Sequence, residues 1–218
     1  MSRANTQFAK WTYDDSPSSC SGKSRTGTLT NIFPRCRRRL VTTRDTSFSR
    51  QMEACTTQTN SPVGLYVEEG RELVRGNTSA GPGNFHMRPN GVFYLTGGVA
   101  GILETHSFIK QRPQVDFATQ SGPMLVIDGE VNTRFVRYGG SRKYRVAVGS
   151  RDHTLVVFAI SESEVSFGEF ARLFQDKLRC KNALYLDGGS ATSFYSPVLG
   201  RSGTFLPLGP IIGVYGAN

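Results

Sequence analysis

Hydrophobic and polar positions follow two different grammars along this chain. From Ser61 onward, short apolar runs recur between turn residues, whereas before it apolar residues are scattered with the period of neither a strand nor a helix. Val63–Val67 predicts a strand ended by Glu68-Glu69-Gly70, and Gly91–Leu95 predicts another ended by Gly97-Gly98. Met124–Ile127 runs into Asp128-Gly129, a dipeptide suited to a tight hairpin turn, and Glu130-Val131 begins the return strand. Tyr144–Val148 and Thr154–Ile160 predict a strand pair around Ser150–His153. Ala183–Leu186 is a short strand leading straight into Asp187-Gly188-Gly189-Ser190.

One helix is well signalled. Ser166 and Glu169 have the spacing of a capping box, in which each side chain serves a free backbone N–H of the other. Phe167, Phe170, Ala171, Phe174 and Leu178 follow at helical spacing, and Arg179 and Lys181 suit the negative end of the helix dipole. The expected fold is therefore α+β: a single domain over residues 60–218 with a mixed or antiparallel sheet and packed helices.

Charge sharpens the division. The net charge of +9 invites a nucleic-acid reading, but residues 1–60 hold 10 Lys+Arg against 4 Asp+Glu, leaving 16 against 13 in the rest. The same sixty residues hold 19 Ser+Thr and three of the four cysteines, Cys20, Cys36 and Cys55, with Cys180 alone in the remainder. That distribution argues against a disulfide framework, and the spacings match no zinc template. The basic run Arg35-Cys36-Arg37-Arg38-Arg39 has no interleaved aromatics, so nucleic acid is not an expected partner. No run reaches the ~18 apolar residues of a membrane span. The first thirty residues lack the apolar core of a signal peptide, and localisation is not legible.

The most specific chemistry is at Asp187. A carboxylate at the end of a buried strand, followed by two glycines and a serine, sits at the rim of a sheet. Gly188 and Gly189 can take positive φ and form a backbone anion nest, with Ser190 and Thr192 adding hydroxyl donors. The plainer alternative is a strand-ending turn in which Asp187 caps backbone N–H groups. Arg145 stands before the apolar Val146-Ala147-Val148, where a charge is costly unless paired. Its guanidinium could present a fork to phosphate, or form a structural ion pair, or face outward.

Five ordered blocks carry a resemblance: Ser61–Tyr66, Gly81–Phe93, Ala118–Gly129, Arg145–Gly149 and Leu184–Thr192. Together they resemble the phosphodiester glycosidase family, nearest its small bacterial branch, over nearly all of residues 61–218. The resemblance implies a hydrolase that cleaves a sugar from a phosphodiester; the alternative is a sugar- or phosphate-binding module without turnover. It draws in Gln120 and Ser121 before Gly122-Pro123, Asn90 before Gly91, and His86 as substrate-binding candidates; the first three are equally suited to ordinary turn-making, and a lone histidine is more often structural. His106 is a further neutral donor nearby. A phosphate leaving group needs little acid assistance but does need its charge neutralised, which suits Arg145 and the Gly188–Ser190 nest. Asp187 is the candidate base or nucleophile and Glu104 a candidate partner carboxylate. The sequence requires no cofactor and leaves room for a divalent metal at Asp187.

The family pattern also implies an Asn-Gly-Gly segment and an aromatic just before Ser61, where Gln51–Thr59 matches nothing. Back-translated and read two bases later, degenerate codons for those residues permit Asn-Gly-Gly-Met-Tyr-Asp-Ala-Asp. The single codon of Met52 followed by Glu53 forces one of the shifted glycines. Residues 1–59 are therefore read as an out-of-frame or disordered segment, which accounts together for their charge, stray cysteines and lost periodicity, and which implies a domain that is N-terminally incomplete.

Overall fold

The computed structural model describes residues 6–12, 50–53, 61–135, 139–153, 155–188, 195–196, 201–202 and 211–214. The strands of the N-terminal half are β1 (Thr6–Thr12), β2 (Arg50–Glu53), β3 (Tyr66–Glu68), β4 (Arg71–Val74), β5 (Gly91–Thr96), β6 (Val99–Glu104) and β7 (Phe117–Ser121). Next come β8 (Met124–Ile127), β9 (Glu130–Val131), β10 (Arg145–Ser150), β11 (Leu155–Ser161) and β12 (Asn182–Gly188). The short strands β13 (Tyr195–Ser196), β14 (Arg201–Ser202) and β15 (Ile211–Val214) complete the set. Helix α1 spans Thr105–Gln111 and α2 spans Phe167–Arg172, with a π-helical turn continuing α2 over Leu173–Lys177.

Two antiparallel sheets dominate. One has the order β1-β11-β10-β12-β8-β9 and the other β4-β3-β7-β5-β6. Their inner faces meet: Phe93, Ala100 and Ile102 of the five-stranded sheet pack with Val146, Val148, Phe158, Leu184 and Leu186 of the six-stranded one. The outer face of the six-stranded sheet is covered by Phe170, Ala171 and Phe174 of the α2 segment, packed on Ala147, Leu125 and Tyr185. On the opposite outer face, Phe108 of α1 packs with Leu65, Val67, Val92 and Ala118. The layers thus run helix, sheet, sheet, helix.

The antiparallel pairing matches one of the two expected sheet types, but the helical share is smaller than an α+β reading implies. Strands buried on both sides consume the apolar residues; all six residues of β10 are buried, for example. The helices are left with 7 and 6 residues. Two local expectations are met in detail. Asp128 and Gly129 both take positive φ (48° and 90°) in the β8–β9 hairpin, and the Ser166–Glu169 capping box is formed. The cation at the end of the α2 segment differs from expectation. Arg151, from the β10–β11 turn, donates from Nε and Nη2 to the Leu178 carbonyl, while Arg179 itself turns left-handed at φ 54°. The strand expected over Val63–Val67 begins only at Tyr66.

Within residues 1–59 the described segments are β1, paired with β11 over Thr6–Thr12, and β2, paired with β15. Among the described residues no helix is long and apolar enough to cross a membrane.

One end of the sandwich brings several of the candidate residues together. Gly91, at the start of β5, pairs with Glu104 at the end of β6 and with Ser121 at the end of β7. The Ser121 hydroxyl donates to the Leu186 carbonyl near the end of β12 (3.0 Å), which ties both sheets together there.

Candidate active site

Asp187 owes its direction to a bulge. Across β10–β12, Ala147 pairs with Tyr185 and Val146 with Asp187, so the register passes over Leu186. In a regular strand Asp187 would share the face of Tyr185, two residues earlier. The extra residue reverses this: Asp187 lies opposite Val146, whose side chain packs in the inter-sheet core, and leaves the sheet on that face. Asp187 is half-buried, and its Oδ1 accepts the Gly188 backbone N–H at 2.6 Å.

Gly188 supplies independent evidence of this geometry. A Cβ added there would come within 3.0 Å of the Tyr185 hydroxyl and of the Tyr144 carbonyl, so Gly188 faces the helix side, opposite to Asp187. Gly188 closes strand β12 and is not among the positive-φ glycines, so it does not take the nest conformation expected for it. Its lack of a side chain makes room for a phenol. Gly189, Ser190 and Thr192 lie outside the described residues.

Arg145 pairs with Gly188 and turns to the same helix-side face. It is 1% exposed. Its Nε donates to the Val165 carbonyl (2.8 Å) and its Nη2 to the Ser141 carbonyl (2.9 Å). The guanidinium carbon stands 3.6 Å over the Phe167 ring and 5.6 Å from the Tyr185 ring. Burial pulls this guanidinium below the ordinary arginine value, while the Tyr185 phenol, through its charge interaction and its hydrogen bond, works the other way. Arg145 therefore stays cationic, held by carbonyls and rings on the face away from Asp187. Arg142 reinforces that packing: its Nη1 reaches both Glu169 carboxylate oxygens (3.0 and 2.8 Å) and its Nη2 the Glu164 carbonyl.

The remaining candidates fall into two groups. Gln120 is a buried clamp: its Oε1 accepts from the Leu65 and Asn77 N–H groups (both 2.9 Å), and its Nε2 donates to the Asn77 carbonyl (2.7 Å). Asn90 is also buried, its Nδ2 donating to the Phe85 carbonyl (3.0 Å) to close the loop before β5. Gly122 packs against Asn90 so closely that a Cβ would collide with it. Ser121 is fully buried, its hydroxyl turned to Leu186. His86 sits at the surface of the same loop, its Nδ1 3.0 Å from the Ser79 carbonyl. Ser121, Asn90 and His86 thus stand at the Asp187 end, with His86 the most exposed of the three.

Glu104 caps α1, its Oε2 accepting the Ser107 N–H at 2.9 Å, while Oε1 meets His106 Nδ1 at 2.9 Å. Burial works to raise its carboxyl, but the N–H and ring of His106 and the N–H of Ser107 outweigh this and hold it below the usual carboxylate range. His106 Nε2 lies 3.3 Å from Arg88 Nη1, and Arg88 Nη2 reaches the Thr78 carbonyl. The network assigns His106 the Nδ1–H tautomer, with Nε2 accepting from Arg88. Glu104 and Ser121 flank Gly91 of β5 from opposite sides, two strands apart in the five-stranded sheet. Arg88, Tyr185 and the bulge escaped the sequence reading; only the close run Arg88-Pro89-Asn90-Gly91 could have pointed to the first. Among the described residues no group of three or more His, Cys, Asp or Glu could hold a metal.

A two-sheet sandwich with a rim carboxylate defines the architecture, and comparison with known sequences places it. The chain belongs to the phosphodiester glycosidase family, whose sequence model matches residues 46–215. The match begins inside the segment before Ser61. The uncharacterised protein YigE of Escherichia coli strain K12 is 41% identical over 128 residues, which is 59% of this chain and 50% of that protein. The chain therefore spans about half the length of that curated relative. The fold is similar to the zebrafish N-acetylglucosamine-1-phosphodiester alpha-N-acetylglucosaminidase catalytic domain, a structure auto-inhibited by its pro-peptide. That similarity has a TM-score of 0.55 at 15% identity and covers 78% of this chain and 63% of the other.

Proposed function

We propose that this domain hydrolyses a sugar 1-phosphodiester at the bond between the anomeric carbon and oxygen, with Asp187 as base or nucleophile. The observation that carries the reading is the β12 bulge, which turns Asp187 to the rim where the ends of β5, β6, β7 and β12 converge. Membership of a glycosidase family supports the reaction class. A phosphate monoester leaves without a proton, so one carboxylate suffices, in keeping with Glu104 serving as an ionised helix cap. The departing charge is assigned to Gly189, Ser190 and Thr192, which lie two to five residues after Asp187 in sequence, and to half-exposed Arg88 at the same end. His86 lines the sugar side, and Arg145 holds the scaffold.

The segment 51–59 is read as a shifted frame, so the domain proper is assigned to residues 60–218 and catalysis by this chain is weakened by the missing Asn-Gly-Gly. Nucleotide sequence across these codons tests that reading; a stop codon or a different motif in the shifted frame overturns it. The activity is tested by phosphorus NMR on a panel of sugar 1-(methyl phosphate) diesters. The chain as it stands, and more strongly with the segment restored, is expected to release methyl phosphate. Binding of the diesters without release by either chain would identify a binding module instead.

A further inference from the structure

We propose that Ser121 and Tyr185 are positioning residues that clamp the β12 bulge from opposite faces of the sheet and so set the direction of Asp187. The proposal rests on Asp187 being the reacting carboxylate. A bulge interrupts the ladder at the point where direction matters most, and a shift of one residue would send Asp187 to the other face. In that regular register Asp187 would stand opposite Arg145, on the face of Ala147, Phe170 and Phe174, and would answer the guanidinium there instead of the rim.

The two contacts hold the bulge against that shift. On the inter-sheet side, the Ser121 hydroxyl donates to the carbonyl of Leu186, the residue passed over in the register. Ser121 is 0% exposed, so water does not compete for that carbonyl from its side. On the helix side, the Tyr185 phenol fills the space that a side chain at Gly188 would need. Arg145 fixes the phenol, and is itself fixed by the carbonyls of Val165 and Ser141 and by the Phe167 ring. A chain of directed contacts thus runs from the capped start of α2 to the Asp187–Gly188 peptide. Both residues are buried to 1% exposure or less, so each acts through Asp187 and not through substrate.

The test uses the full chain and the variants Ser121→Ala, Ser121→Thr and Tyr185→Phe. The first readout is hydrogen exchange at the Gly188 amide, which donates to Asp187 Oδ1 and so reports the local geometry whether or not the protein is active. Ser121→Ala and Tyr185→Phe are expected to speed that exchange about tenfold, while distant β11 amides keep their protection; Ser121→Thr restores the parent value. The second readout is diester hydrolysis, where both weakened variants are expected to lose about 10²-fold in kcat with KM within roughly twofold. Parent-like Gly188 exchange in the folded variants overturns the clamp, and Tyr185→Phe decides the matter should Ser121→Ala not fold. Faster exchange with parent-like kcat overturns its link to Asp187. A parent that hydrolyses no diester overturns the proposed function, while the exchange measurement still decides whether the clamp exists.

Discussion

Replacing Gly188 with alanine places one methyl group where the β12 end is tightest. The new Cβ lies inside 3.0 Å of both the Tyr185 hydroxyl and the Tyr144 carbonyl, a separation real Cβ atoms essentially never show. Gly188 has ordinary extended geometry, so no left-handed strain is added, and the stiffer unfolded chain alone would stabilise by about 0.4–1 kcal/mol. Against this stands overpacking, which costs roughly 1–3 kcal/mol. The phenol must also withdraw from Arg145, and a hydrogen bond to a buried charge contributes about 1.5–3 kcal/mol. The net expectation is a loss of roughly 2–4 kcal/mol, measured by urea denaturation, or a fall of ~5–15 °C in Tm. Removing the phenol oxygen with Tyr185→Phe relieves one of the two collisions but not the backbone one. The double variant should therefore recover about 1 kcal/mol relative to additivity. A Gly188→Ala protein within ~0.5 kcal/mol of the parent would refute the packing described for this strand end.

Arg145→Met keeps an unbranched apolar stem but removes the donors to the Val165 and Ser141 carbonyls; we expect a stability loss of roughly 2–4 kcal/mol by chemical denaturation, with phosphate shifting parent and variant alike. Phosphate that stabilises the parent but not the variant would show instead that Arg145 serves an anion site. Glu104 carries a pH signature, since its folded-state carboxyl lies below the ordinary value. Its contribution is complete above the unfolded carboxylate pKa and is lost as pH falls through the depressed folded one. Glu104→Gln should be less stable than the parent at neutral pH and converge on it in acid, as followed by thermal melts across pH; a constant gap would contradict the capping role.

Much of this architecture could be read from local sequence, and what could not depends on register. The Asp128-Gly129 hairpin and the Ser166–Glu169 cap are decided by neighbouring residues, and both appear where the sequence puts them. The strand leading into Asp187 was equally legible from Ala183–Leu186. Helix α1 was not, because its cap is a glutamate and Phe108 supplies its main buried contact. Strands β4, β6 and β7 lacked a distinguishing apolar period. Gln120 looks like a turn residue but closes a contact with Leu65, 55 positions away. Arg145 illustrates the same limit. Its strand was evident and alternates regularly, yet the Val165 and Ser141 carbonyls and the Phe167 ring that hold it come from elsewhere in the chain, just as the face of Asp187 is settled by the bulge in β12. No local pattern encodes a one-residue offset between strands forty residues apart in sequence.

Asp187 is proposed to drive cleavage at the sugar side of a phosphodiester, and hydrolysis in oxygen-18 water reads which bond breaks. With a sugar 1-(methyl phosphate) diester and the restored chain, we expect the released methyl phosphate to carry no label, since its oxygens all come from substrate. Asp187→Asn, which keeps size and removes charge, should slow that release by at least ~10²-fold with little change in Tm. Label in the methyl phosphate would place the cut at phosphorus, and release by Asp187→Asn at the parent rate would reduce Asp187 to a turn cap; either result contradicts the account.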